Sequence, residues 1–170
     1  MKIRLNALRE GFQKIEGSLM PEFLGISDEW FKESLIKVVL SINKGSSEIS
    51  LDGIVQSEAE FECDRCLVLF KKNLTADFQV ILTTSKIGSD LIDENIIPIT
   101  QTTMEVDISN YIRDALLLSV PMKKLCSENC RGLCPHCGVN LNFEKCKCGQ
   151  NKSDDRWKPL KKMLTLSLEE

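Results

Sequence analysis

The sequence contains little histidine and no long apolar run. A single histidine, His136, occurs in 170 residues, and no stretch approaches the roughly 18 apolar residues that a membrane span needs. The first ten residues carry charges every few positions, which is not the pattern of a secretory signal peptide. We therefore expect a cytoplasmic protein that makes no membrane contact and stays in a reducing compartment, where disulfides are rare.

Motifs of the common enzyme classes are absent as well. There is no Gly-rich phosphate loop, no G-x-S-x-G and no H-E-x-x-H in the chain. The carboxylates of Glu58, Glu60 and Glu62 alternate with core-type residues, which is typical of a solvated strand face rather than of a catalytic pair. The sequence therefore predicts neither an enzyme nor a small-molecule substrate.

Two alternating segments predict antiparallel strands in the first two-thirds of the chain. Over 49–63 the even positions are polar, with Ile54 as the exception, and the apolar residues at odd positions are Ile49, Leu51, Val55, Ala59 and Phe61. After Cys66 the alternation resumes on the other parity and continues over 74–82. We expect two adjacent antiparallel strands with the first cysteine pair at their connection.

Further elements are predicted on either side of these strands. Segments 2–8 and 35–42 have strand composition, and the turn at 44–47 leads from the latter into the next strand. Ser109 can cap a helix that Pro121 stops. We expect an α+β fold, in which an antiparallel β-rich body is followed by a cysteine-rich module with short helices.

Composition suggests one domain boundary, between Val120 and Pro121. The body, 1–120, has 12 Lys and Arg against 19 Asp and Glu, a balance of −7, and carries the first cysteine pair. The module, 121–170, has 10 against 6, a balance of +4. A helix capped by Asp154 or Asp155 is expected near its end, with lysines on one face.

Cysteine stands out among the residues that are present. The eight cysteines fall in four close pairs, which are Cys63 with Cys66, Cys126 with Cys130, Cys134 with Cys137, and Cys146 with Cys148. Two pairs have the C-x-x-C spacing, which lets both sulfurs face one ion about 2.3 Å away. Eight ligands in four chelating pairs predict two structural zinc sites, each closed by four thiolates.

The spacing leaves two ways of combining the pairs. In the first, the last four cysteines close one site and the first four close the other. In the rival, the four middle cysteines form one site, and the first and last pairs form the other. We favour the first because the last four cysteines lie close together in the sequence. Its other site would join positions about sixty residues apart, which removes loop-closure entropy from the unfolded chain.

Other uses of these residues are less consistent with the pattern. A disulfide framework conflicts with the reducing compartment, and a redox C-x-x-C needs a thioredoxin-like βαβ setting. Each C-x-x-C pair with its turn is called a knuckle here. His136 lies between the two cysteines of the second knuckle, Cys134 and Cys137, so we expect its side chain to point away from the metal.

Several of these motifs together resemble a known family. They are the segment 108–121, which runs into 126–142, the pair Cys146 and Cys148, the run Asp155-Arg156-Trp157, and the upstream Cys63-Asp64-Arg65-Cys66. In this combination the chain resembles the YceD family of large ribosomal RNA accumulation proteins. It departs from the family's pattern in lacking a proline between Asp155 and Arg156.

The resemblance implies a non-enzymatic factor in ribosome biogenesis that is needed for normal levels of large-subunit ribosomal RNA. Two kinds of partner are expected: the large-subunit RNA itself, or a basic ribosomal protein held by the acidic body. Arginine can bridge phosphates and tryptophan can stack on an unpaired base. The side chains expected at such a surface are Arg65, Arg131, Lys145, Lys147, Arg156, Trp157 and Lys158.

Overall fold

The computed structural model describes residues 1–27, 29–31, 34–84 and 95–148. Most of the regular structure is β-strand. The strands are β1 (Lys2–Arg4), β2 (Gly11–Leu19), β3 (Ile36–Lys44), β4 (Glu48–Glu62), β5 (Leu69–Thr83), β6 (Ile96–Pro98) and β7 (Glu105–Asp107). One α-helix, α1 (Ser109–Leu118), and three short 3₁₀ turns (Leu5–Ala7, Pro21–Leu24 and Glu29–Phe31) complete the described elements. The expected strand-rich, antiparallel architecture with a cysteine-rich end is confirmed.

The principal sheet has the strand order β2-β3-β4-β5-β6. Neighbours from β2 to β5 pair antiparallel, and β6 pairs parallel with β5. The longest pairing is the β4–β5 hairpin, which runs in register from Glu48 opposite Thr83 to Glu62 opposite Leu69. The predicted hairpin with Cys63 and Cys66 at its connection is therefore confirmed.

The alternation in β4 matches its burial. Leu51, Val55 and Phe61 are fully buried, whereas the even-numbered side chains face solvent. Ile54, the exception in the sequence pattern, is 47% exposed on that outer face. Helix α1 packs on β4 and β5 and buries Ile112 and Leu116 completely. The period of two thus identified the buried face correctly.

One close approach inside the hairpin requires glycine. Gly53 of β4 lies opposite Phe78 of β5, and a Cβ at Gly53 would come within 2.2 Å of the Phe78 ring. The aromatic ring therefore occupies the space that a side chain at position 53 would fill.

The strand predicted over 2–8 is wrong in its second half. Strand β1 pairs with β7 only as far as Arg4, and Leu5–Ala7 form a 3₁₀ turn. Leu5 and Leu8 are both buried. A strand would place residues three apart on opposite faces, whereas a 3₁₀ turn places them on the same face.

The prediction that Ser109 caps α1 is wrong, because the N-cap residue is Ile108, whose side chain makes no capping hydrogen bond. Ser109 is the first residue of the helix, and its backbone N–H and hydroxyl donate to Asp107 Oδ1 over 2.9 and 2.6 Å. These hydrogen bonds lower the pKa of Asp107 to about 2, and the bond from the Ser109 hydroxyl has the largest effect. The carboxylate is the better acceptor, so the serine acts as a donor.

The chain forms two compact units, Met1–Glu128 and Asn129–Glu170. The first contains every strand and helix described above. The predicted C-terminal helix and most of the loop expected over 85–95 lie outside the described residues. The boundary expected between Val120 and Pro121 stays a prediction. No helix in the described part of the chain has the length and apolar character needed to cross a membrane.

Candidate metal centres

The cysteine side chains form two groups of four. The hairpin cluster comprises Cys63, Cys66, Cys126 and Cys130, and the terminal cluster comprises Cys134, Cys137, Cys146 and Cys148. Within each group the four sulfur atoms lie within 4.8 Å of one another. The first four cysteines thus form one group and the last four form the other, which is the combination of pairs that we favoured from the sequence.

The first knuckle is the tip of the β4–β5 hairpin. Cys63 N–H donates to the carbonyl oxygen of Val68 over 3.0 Å, and Leu67 N–H donates to that of Cys63 over 2.9 Å. Cys63 and Cys66 are 0% and 4% exposed. The backbone at Leu67 is in the left-handed region, with φ of 58°. The two strands thus position both thiols of the pair in a tight turn, in which the two cysteines are buried and the other side chains are exposed.

A short backbone contact brings Cys126 to this turn. Asp64 N–H donates to the Lys124 carbonyl over 2.8 Å, and Lys124 N–H donates to Asp64 Oδ2 over 2.7 Å. Cys126 N–H then lies 3.5 Å from Cys63 Sγ, and its own sulfur lies 3.6 Å from Cys66 Sγ. The Lys124 ammonium also lies 4.0 Å from the ring centroid of Trp30. Asp64 and Lys124 therefore position a cysteine that is sixty residues from its neighbour.

The second knuckle repeats the geometry of the first. Cys134 N–H donates to the Val139 carbonyl and Gly138 N–H donates to the Cys134 carbonyl, both over 2.9 Å. Gly138 has φ of 72°, which glycine adopts without steric cost. An isolated bridge between Leu133 and Asn140 closes the turn.

The loop after the second knuckle returns two more thiols to it. Cys146 Sγ lies 3.2 Å from Cys134 Sγ and 3.7 Å from Cys137 Sγ. Cys148 N–H lies 3.2 Å from Cys146 Sγ. Tetrahedral ligands at about 2.3 Å from zinc are separated by about 3.8 Å, so both clusters have the spacing that one ion needs.

Asn142 supports Cys130 within the second unit. Its amide Nδ2 donates to Cys130 Sγ over 3.3 Å, and its Oδ1 accepts from Arg131 N–H over 2.8 Å. An N–H donor to a thiolate offsets part of the negative charge of a four-sulfur site. The spacing of the cysteines carries no information about Asn142, Asp64 or Lys124, so none of these three supporting residues could be predicted from that pattern.

The knuckle backbone favours thiolate in each cluster. Burial opposes ionisation of Cys63, but backbone N–H groups, first that of Cys126, lower the pKa of this thiol to about 6. Backbone N–H groups, first that of Cys137, likewise lower the pKa of Cys134 to about 6. Hydrogen bonding with other thiols, first Cys137, raises the pKa of Cys148 to about 12. Such crowding of sulfurs is relieved when a cation binds and the thiols lose their protons.

The remaining predicted site residues fall into two sets. Arg65, Arg131, Lys145 and Lys147 are exposed. The others, Arg156, Trp157 and Lys158, lie outside the described residues. His136 is exposed and belongs to neither group of four thiols, as expected.

Comparison with known proteins identifies relatives across most of the chain. The family model described as large ribosomal RNA subunit accumulation protein YceD matches residues 51–164. A relative from Arabidopsis thaliana, named large ribosomal RNA subunit accumulation protein YCED homolog 1, chloroplastic, is 26% identical over 151 residues. The match covers 74% of this chain and 47% of that protein.

Two further relatives have similar identity to this chain. The Zea mays protein of the same name is 27% identical over 141 residues, covering 66% of this chain and 48% of its own. An uncharacterized protein of Mycobacterium tuberculosis is 27% identical over 131 residues, covering 77% and 63%.

This chain thus spans about half the length of the plant relatives it matches. No solved structure matches it. The family model covers two-thirds of the chain, including all eight cysteines. The chain therefore belongs to the YceD family of large ribosomal RNA subunit accumulation proteins.

Proposed function

We propose that this protein is a non-enzymatic factor of ribosome biogenesis that supports the accumulation and processing of large-subunit ribosomal RNA. The family description and the names of the plant relatives support the role in RNA accumulation. The observation that carries the mechanism is the presence of two separate groups of four thiols. All-thiolate zinc sites are structural because they leave no coordination position for a substrate.

In this proposal each cluster binds one zinc ion through its four thiolates. The ions hold the knuckle turns, and the turns carry the basic side chains outward. Thiolate ligands must stay reduced to bind metal, which supports the cytoplasm as the compartment. Zinc here supports a surface and takes no part in chemistry.

The partner that we favour is the RNA. Arg65 is exposed at the first knuckle. The exposed basic side chains near the terminal cluster in the sequence are Arg131, Lys145 and Lys147. Arginine forks match phosphate geometry, and lysines attract the RNA backbone as point charges. Arg156, Trp157 and Lys158 are further candidates for RNA contact from the sequence.

A complementation experiment tests the proposal. Cells lacking the protein should contain a lowered ratio of large- to small-subunit ribosomal RNA, which the wild-type chain restores. A Cys134→Ser variant should restore it poorly, whereas Lys123→Ser, an exposed change outside both clusters, should restore it fully. An unchanged RNA ratio in cells that lack the protein would contradict the proposal. Purified protein should contain two zinc ions per chain, and free thiols without metal would exclude the zinc sites.

The alternative is an adaptor that holds a basic ribosomal protein without touching RNA. The observation that favours it is a cavity of about 350 Å³ beside β4, lined by Trp30, Glu58 and Glu60 among others. The ion pair between Lys71 and Glu58, with 3.1 Å between nitrogen and oxygen, neutralises part of its acidic charge. Capture of one ribosomal protein from nuclease-treated extract, with no retained RNA, would support the adaptor over direct RNA contact.

A further inference from the structure

A groove on the second unit combines an exposed aromatic ring with two cations. It has a volume of about 460 Å³, and its lining includes Arg131, Asn142, Phe143 and Lys145. Phe143 is 78% exposed. Exposure of a phenyl ring to water is unfavourable, so an apolar partner would stabilise this side chain.

Hydrogen bonds hold the backbone that carries the ring. Phe143 N–H and Glu144 N–H donate to the Asn140 carbonyl over 3.2 and 3.0 Å. The side chain of Asn140 accepts from Asn142 N–H over 3.0 Å and from Asn142 Nδ2 over 2.9 Å. The backbone at Phe143 is therefore held before any ligand arrives, which lowers the entropic cost of ordering this loop on binding.

The charges beside the ring are available to an anion. Arg131 and Lys145 are both exposed, and neither forms an ion pair with a carboxylate within the described part of the chain. Glu144 and Cys146, a thiol of the terminal cluster, also line the groove, so the two cations face one carboxylate and one metal-ligand sulfur. An aromatic face with adjacent cations matches a base joined to a phosphate.

We infer that this groove binds one unpaired nucleotide of RNA, with the base stacked on Phe143 and its phosphates contacted by Arg131 and Lys145. The inference rests on the proposed direct contact with RNA and adds the nucleotide-binding residue. Stacking depends little on base identity because every base presents a π face. The groove therefore selects single-stranded over paired RNA rather than one sequence over another.

Fluorescence anisotropy of a labelled 12-nucleotide oligouridylate, titrated with the zinc-loaded full chain, tests the inference. Phe143→Ala should raise the dissociation constant about tenfold, and Phe143→Tyr should stay within about twofold of wild type, because base–aromatic stacking contributes at this scale. Phe12→Ala is the matched control, since Phe12 is 74% exposed on strand β2 of the first unit. That control should bind as wild type does.

Two further measurements report stacking and charge separately. Phe143→Trp should show tryptophan quenching on RNA addition beyond that of the wild-type chain, which a merely structural residue would not produce. Lys145→Gln should reduce the slope of log affinity against log salt by about one, as expected for one lost phosphate contact. Unchanged zinc content in each variant shows that the unit is folded.

The outcomes separate this inference from the proposed function. If the wild-type chain does not bind the oligouridylate, direct RNA contact and the nucleotide site both fail. If wild type binds and Phe143→Ala binds equally well, the groove is not the site although RNA contact stands. If Phe143→Ala instead loses only capture of a ribosomal protein from nuclease-treated extract, the groove is a protein contact and the inference is overturned.

Discussion

The two C-x-x-C knuckles share one backbone geometry but have very different support. In both, the first cysteine N–H bonds to the carbonyl five residues on, and the residue after the second cysteine adopts positive φ. The first knuckle is the end of two 15-residue strands that belong to a five-stranded sheet. Within 129–148, the described part of the second unit, only an isolated bridge accompanies the other knuckle.

The burial of the thiols follows the same difference. Three of the four cysteines in the hairpin cluster are buried, compared with one of four in the terminal cluster. A sheet with its own apolar core can stay folded without metal, whereas a short loop with little core depends on the ligand bonds. We therefore expect metal at this motif to complete an existing structure in the first unit and to provide most of the order within 129–148.

Metal removal should expose this contrast most strongly. Chelation should abolish protection from hydrogen exchange throughout 129–148, whereas amides of β3, β4 and β5 should stay protected. The reason is that structural zinc contributes on the order of 10–16 kcal/mol of apparent binding free energy to the folding of a small metal-binding module. Hydrogen exchange with mass spectrometry measures both regions in one sample. Equal loss of protection in the two regions would contradict the contrast.

Single cysteine substitutions sharpen the comparison. Cys137→Ser and Cys66→Ser should each reduce the zinc content from two ions to one per chain, because a missing thiolate opens a four-ligand site. The first should also unfold residues around 134–148, whereas the second should leave the strands formed. Native mass spectrometry counts the metal, and circular dichroism follows the strands. Loss of strand signal in the Cys66→Ser protein would show that the sheet needs its metal.

A change inside the sheet should destabilise the first unit without affecting the metal sites. Gly53→Ala should lower the free energy of unfolding by about 1–3 kcal/mol, since the added methyl group overlaps the Phe78 ring. Urea unfolding measures this effect. Gly17→Ala is the control, because its Cβ would meet only Met1 Cε at 3.5 Å, an ordinary contact. In the Phe78→Ala background the cost of Gly53→Ala should disappear, and a persistent cost would refute the overlap.

The residue after each knuckle provides a reciprocal test. Leu67→Gly should raise the free energy of unfolding by about 1 kcal/mol, because leucine in the left-handed region is disfavoured by about that amount. Gly138→Ala should lower the stability of the second unit by a similar amount for the same reason. Thermal unfolding of the zinc-loaded proteins measures both. Two changes of the same sign would be inconsistent with shared knuckle geometry.

The smallest effect is expected at the start of α1, away from both clusters. Asp107 has its pKa lowered from 3.8 to about 2, so its charge stabilises the fold above about pH 4, and this contribution is lost as the pH falls through about 2. Asp107→Asn should lower the free energy of unfolding by less than about 1 kcal/mol at pH 7, because the group is largely solvated. The difference from wild type should shrink as the pH is lowered. Urea unfolding of the metal-free proteins measures it, with Asp77→Asn as an exposed control on β5.

Much of the sheet could be predicted because its strands are long and alternate cleanly. The hairpin of β4 and β5 and the turn before β4 followed from period and turn residues. Strand β2 was missed because its burial alternates only between exposed and half-buried side chains, which leaves a weak apolar pattern. The strand predicted over 2–8 was too long. Ile3 and Leu5 are both buried, so their alternation gives no sign that a 3₁₀ turn begins at Leu5.

The sequence by itself determined which ligand atoms are available and where the C-x-x-C turns lie. Four chelating cysteine pairs predict four-thiolate sites because ligand identity and spacing are properties of the chain. Only the tertiary structure decided which pairs meet, because the register of a long hairpin and a contact at Lys124 bring Cys126 to Cys66 across sixty residues. Only the tertiary structure showed that Phe143 is exposed and lines the same groove as Arg131. Exposure depends on how a loop closes rather than on the residues that it contains.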